Sequence, residues 1–170
     1  ADTMSMSPSG KFIVENYSRV DLVPHALVRD ASGNKVLELA APDISHLTAA
    51  GWKAPEPFKV KAADNITDLY GVMWKPFDFD PAKKYPVVLI TYPGPIMEVV
   101  LKDFSPIHIF ATGLSQIGCV VVHIGNRGGG SQRSKWYGTY GYGNLRDFAL
   151  EDNKCSLEHL ADLYPFIDLE

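Results

Sequence analysis

Tyr85-Pro86-Val87-Val88-Leu89-Ile90-Thr91-Tyr92 and Cys119-Val120-Val121-Val122-His123-Ile124 are the two stretches on which the fold turns. Each is a short apolar run of strand length with no polar alternation. A sheet covered on both faces produces that pattern. Between them, residues near Ile107 to Ser115 read as helical. After the second run, Phe148, Asp152, Cys155, His159 or Leu160, and Leu163 recur at helical spacing and predict one long helix ending near Pro165. Strand, helix, strand, helix predicts a parallel sheet with crossovers.

Upstream the texture changes. Phe58 to Ala62 and Leu69 to Trp74 predict two strands around an Asp64-Asn65 turn, and Lys75 to Lys84 a polar loop. Before them, Gly51-Trp52-Lys53-Ala54-Pro55-Glu56-Pro57 carries two prolines in three residues, which favours an extended linker. Residues 1–50 read as a meander. Lys11 to Tyr17 is rich in strand formers, and Pro24 to Arg29 joins Lys35 to Leu39 through the turn residues Asp30 to Asn34. Pro42-Asp43 opens a short helix, with Asp43 expected as its N-cap and Gly51 just past its end. Two buried strands are too few for an independent doubly wound domain. The reading therefore expects a piece of something larger, with no leader at its amino terminus.

Composition narrows the function. The chain has 170 residues, 46% hydrophobic and 21% charged, as in a globular protein. A net charge of −4 with scattered basic residues provides no footprint for nucleic acid or an anionic membrane. No window reaches the ~18 apolar residues of a membrane-spanning helix. Cys119 and Cys155 lack a CxxC partner, and the five histidines show no HExxH spacing, so neither a metal nor a cofactor is expected.

Two loops invite chemistry. Thr91-Tyr92-Pro93-Gly94-Pro95 follows the first buried strand, where open α/β sheets bind ligands. Its tyrosine can donate to a developing oxyanion, or it can simply pack. His123-Ile124-Gly125-Asn126-Arg127-Gly128-Gly129-Gly130 follows the second. It matches no phosphate-binding pattern, so Arg127 is expected to bond internally while the glycines form a tight turn. Trp136, Tyr137, Tyr140 and Tyr142 suit a loop packed over another surface. No Gly-x-Ser-x-Gly occurs: Gly113-Leu114-Ser115 has only its first half, and Ser131 is followed two residues on by Arg133. Glu151 and Asp152 diverge by ~100° on a helix and cannot share a substrate; favourable placement near the helix start explains them.

In their order, Phe79-Asp80-Pro81-Ala82-Lys83-Lys84-Tyr85-Pro86-Val87-Val88-Leu89, Thr91-Tyr92-Pro93-Gly94-Pro95, Gly125-Asn126-Arg127-Gly128 and Glu151-Asp152 resemble the dipeptidyl peptidase IV branch of the prolyl oligopeptidase family. Ser7-Pro8-Ser9-Gly10-Lys11 and Tyr17-Ser18-Arg19-Val20 resemble the end of that family's β-propeller. The resemblance implies the last antiparallel strands of a propeller over residues 1–50, a linker at 51–57, and the first half of an α/β-hydrolase peptidase domain over 58–170. It implies a serine exopeptidase releasing N-terminal dipeptides after proline or alanine, with no cofactor or metal and a peptide as substrate. Tyr92 matches the family's oxyanion donor. Asn126-Arg127-Gly128 departs from an Asp-Gly-Arg-Gly type segment and takes no catalytic role. The serine, aspartate and histidine would lie downstream, leaving this piece inactive by itself. Pairing through hydrolase-domain edges and a periplasmic or extracytoplasmic location follow by analogy only. A catalytically dead interaction module and an acylaminoacyl peptidase or esterase of the same fold remain alternatives.

Overall fold

The computed structural model describes residues 2–95, 97–130 and 132–170; Ser131, dismissed above as a nucleophile, lies outside the described residues. The chain forms two compact units, Ala1–Ala54 with Lys102–Pro106, and Pro55–Leu101 with Ile107–Glu170.

The first unit is an antiparallel meander of β1 (Asp2–Met6), β2 (Phe12–Arg19), β3 (Leu22–Asp30) and β4 (Lys35–Ala40), paired in that order. Its turns follow from their residues. Asp30 Oδ1 accepts the amides of Ser32 and Asn34 at 2.9 Å each, and Gly33 supplies the positive φ. Val20 and Leu27 are buried, whereas Met4, Met6, Val36, Leu37 and Leu39 are exposed. Trp52 anchors the connecting segment by donating Nε1–H to the Pro106 carbonyl at 2.6 Å and meeting the Phe104 ring edge-on. The short helix α1 spans Ser45–Ala49 and ends with Gly51 at φ 88°. Its N-cap is Ile44, which corrects the expected Asp43. The aspartate sits one residue too early and instead closes a turn by accepting the Ser45 amide at 2.8 Å.

The second unit holds a mixed sheet of β5 (Glu56–Lys61), β6 (Asp68–Trp74), β7 (Tyr85–Ile90), β8 (Val120–Ile124) and β9 (Ile167–Asp168), in the order β5-β6-β8-β7-β9. β7 runs parallel to both β8 and β9, whereas β6 is antiparallel to β5 and β8. The β5–β6 turn is built by Asp64, whose carboxylate accepts the Ile66 and Thr67 amides, with Asn65 at φ 56°. Helices α2 (Ala111–Gln116), α3 (Lys135–Thr139) and α4 (Leu150–Leu163) complete it. Every residue of β8 is buried. Val120, Val122 and Ile124 join Leu160 of α4 in the core, and alternation sends His123 to the opposite face against Trp74.

Two further expectations need correction. β7 is not covered on both faces, since Val87 to Ile90 are only half-buried. β9 pairs with Tyr85 and Pro86 alone, so the rest of β7 has β8 as its strand neighbour among the described residues. The stretch Gly125 to Asn144 is not all loop. Ser134 accepts the Tyr137 amide at 3.1 Å and caps α3, a single turn too short to impose helical periodicity on the sequence.

Candidate functional site

Because β7 and β8 are parallel, with Ile90 opposite His123, the loops that follow them leave from the same edge of the sheet. Their close approach depends on glycine. A Cβ on Gly125 would lie 3.0 Å from both carboxylate oxygens of Glu98, and one on Gly129 would lie 2.9 Å from the Met97 carbonyl. The glycines thus let two strand-end loops touch.

Tyr92 stands on the first of these loops. It is 60% exposed, and its hydroxyl makes no hydrogen bond among the described residues. Its ring rests on Gly94, where an added Cβ would meet the ring at 3.0 Å. An accessible phenol at the carboxyl edge of parallel strands has the geometry of a free hydrogen-bond donor to a ligand.

The second loop is fixed from below by Arg127, which is 4% exposed. Its Nε and Nη2 donate to the fully buried Asp152 of α4, the shortest contact being 2.7 Å, and its backbone amide donates to the same carboxylate at 2.9 Å. Nη1 donates to Asp64 at 2.9 Å, and the guanidinium stacks on the Tyr140 ring at 4.0 Å. The Ala63 amide also donates to Asp152, at 3.1 Å. One buried fork therefore ties together the β5–β6 turn, the loop after β8 and the start of α4. Burial pushes the Asp64 carboxyl upward, but the Thr67 hydroxyl, the Thr67 and Ile66 amides and the Arg127 charge outweigh it and hold it at about 2. This cluster was not legible in the sequence: Asp64 and Asp152 stand 63 and 25 residues from Arg127, and no local pattern marks the partnership.

Above this clamp, burial and the neighbouring Glu98 charge push the Tyr137 phenol up to about 12, so it stays protonated although Arg133 pulls the other way. On the far side of β8, His123 is 2% exposed and packs against Trp74 and His108, each 4.8 Å between ring centroids. Neither ring nitrogen has a well-formed hydrogen bond. Burial, then repulsion from His108, lowers its pKa to about 4 against a weaker opposing pull from the Val99 backbone, so the ring is neutral. Cys155 lies 3.8 Å from His159, but burial, followed by the charges of Glu158 and Asp152, raises its pKa, the reverse of an activated thiol. Among the described residues no three His, Cys, Asp or Glu side chains converge as metal ligands, and no helix is long and apolar enough to cross a membrane. A groove of about 310 Å³ beside β5 and the end of α4 is lined by Lys59, Lys61, Asp68 and His159. Both of its lysines are paired with Asp68.

No family profile matches the chain. Dipeptidyl peptidase 8 of Mus musculus and that of Homo sapiens are each 38% identical to it over 117 residues, 68% of this chain and 13% of theirs. A crystal structure from Bacteroides ovatus, assigned as a dipeptidyl aminopeptidase IV, superposes with a TM-score of 0.82 at 27% identity, covering 99% of this chain and 24% of its own. Porphyromonas gingivalis dipeptidyl peptidase 4 shares the fold with a TM-score of 0.76 at 23% identity, covering 98% of this chain and 24% of its own. The chain thus spans a quarter or less of the length of these relatives.

Proposed function

From the premise that the chain belongs to the dipeptidyl peptidase IV branch of the prolyl oligopeptidase family, we propose that it is part of a serine exopeptidase releasing N-terminal dipeptides. The four-stranded meander is read as the last strands of a propeller. The mixed sheet is read as the first half of an α/β-hydrolase domain, with β9 as the strand that leads to the nucleophile. The full enzyme works by acyl transfer: a serine attacks the scissile carbonyl, a histidine takes and returns the proton, and Tyr92 donates its hydroxyl to the oxyanion. The single observation that carries this reading is the position of Tyr92, exposed and unbonded on the loop after β7.

The test is Tyr92→Phe in the full-length enzyme. Loss of one oxyanion donor lowers kcat on the order of 10²–10³-fold and changes KM little. An unchanged kcat removes Tyr92 from the mechanism. The 170-residue chain by itself is proposed to be inactive, and labelling of it by a serine-directed fluorophosphonate would contradict that. Preference for acylated over free-amino dipeptide substrates would move the assignment to an acylaminoacyl peptidase or esterase of the same fold. The exposed rings of Trp136 and Tyr142 favour one further reading, a catalytically dead module that uses this loop as an interaction surface. A peptide substrate, pairing of full-length chains and an extracytoplasmic location are proposed on the family resemblance.

A further inference from the structure

Two consecutive residues at the start of α4 reach two different loops. Asp152 takes the Arg127 fork and so holds the loop after β8. Asn153, turned ~100° around the helix, points instead toward the end of β7. Its Nδ2 lies 3.5 Å from the hydroxyl of Thr91, the residue before Tyr92. Asn153 is 9% exposed, and its carboxamide oxygen is buried with no hydrogen-bond partner among the described residues. The hydroxyl of Ser156, three residues along and on the same helix face, is likewise buried and unpaired. Leaving buried polar atoms unpaired costs stability that an apolar side chain would not lose. Packing therefore gives no reason for a carboxamide at this place, and its one side-chain hydrogen bond among the described residues is with the base of the Tyr92 loop.

Among the described residues Tyr92 makes no hydrogen bond that would aim it. Its ring rests on Gly94, and its direction is inherited from the backbone leaving β7, stiffened by Pro93 and Pro95. We propose that Asn153 is a positioning residue for Tyr92: by holding the Thr91 hydroxyl it fixes the angle at which the loop leaves the strand, and so the place where the phenol oxygen waits. α4 would then set both strand-end loops through adjacent side chains. The inference rests on the reading of Tyr92 as oxyanion donor.

The experiment is a double-mutant cycle in the full-length enzyme, with kcat and KM measured on a dipeptidyl substrate. Asn153→Leu and Thr91→Val, which keep size and remove the polar contact, are each expected to lower kcat on the order of tenfold. KM should stay within about twofold. Thr91→Ser, which returns the hydroxyl, should recover kcat relative to Thr91→Val. In a Tyr92→Phe background neither Asn153→Leu nor Thr91→Val should lower kcat further, because their effect passes through the phenol. An unchanged kcat in the single variants, or an equal loss in both backgrounds, overturns the inference while leaving Tyr92 in place. If Tyr92→Phe itself leaves kcat unchanged, the functional reading falls first and the inference with it. Should Asn153→Leu fail to fold, exposed Thr91→Val carries the same test from the other side of the contact.

Discussion

Replacing His123 with phenylalanine keeps an aromatic ring of similar volume against Trp74 while removing the group that titrates. In the folded protein this imidazole is held neutral down to about 4, against an ordinary value of 6.5. Above 6.5 both folded and unfolded chains carry it uncharged, and it gives no pH dependence. As the pH falls from 6.5, the unfolded chain binds a proton that the folded chain refuses, so stability drops. The drop ends near 4, where the folded form also accepts the proton. The gap between 6.5 and about 4, at ~1.4 kcal/mol per pH unit, amounts to about 3 kcal/mol lost across that window. Urea unfolding of the wild-type protein and His123→Phe at pH 7 and pH 4 reads this directly. The variant should lose about 3 kcal/mol less than the wild type between the two conditions. His108→Leu, which removes a second imidazole whose pKa burial also lowers, should start the proton uptake of His123 at higher pH and make the loss of stability on acidification smaller than in the wild type. Equal losses for the wild type and His123→Phe would refute the reasoning, because the buried ring would then not be a proton-linked group.

The Arg127 fork makes its own forecast. Asp152→Asn leaves Arg127 with Asp64 as its charge partner and weakens the charge-assisted bonds of the fork, so it should destabilise by about 1.5–3 kcal/mol in denaturant unfolding, whereas replacing Arg127 and Asp152 together by apolar residues of similar volume should cost less. A double variant no better than Asp152→Asn would show that the buried charge is not the source of the loss. At Gly128, φ is +90° and an added Cβ would lie 2.5 Å from the Phe148 ring. Gly128→Ala should therefore cost at least the ~1–3 kcal/mol of an unfavourable backbone and lower the melting temperature; an unchanged melting temperature would mean that the turn can relax.

What the chain carries in its own order of residues is most of its longer strands and helices, though not α3 or β9. The apolar run Cys119–Ile124 announced a buried strand because a covered strand needs no polar alternation. Asp30–Asn34 and Asp64–Asn65 announced turns because their side chains bond locally. The motif order pointed to the peptidase family, and Tyr92 stood out as a candidate because it lies two residues past the end of β7. Tertiary structure alone decided what meets at the strand ends. Arg127, Asp152 and Asp64 form one cluster although they lie far apart in the chain, and Asn153 reaches Thr91 across 62 residues. It also decided that Val87 to Ile90 of β7 stay half-buried, since coverage depends on which neighbours pair with the strand and not on its own hydrophobicity. Local bonding and periodicity act over a few residues and leave their mark in sequence. Ion pairs between distant segments leave none, because any aspartate at the right point in space would serve.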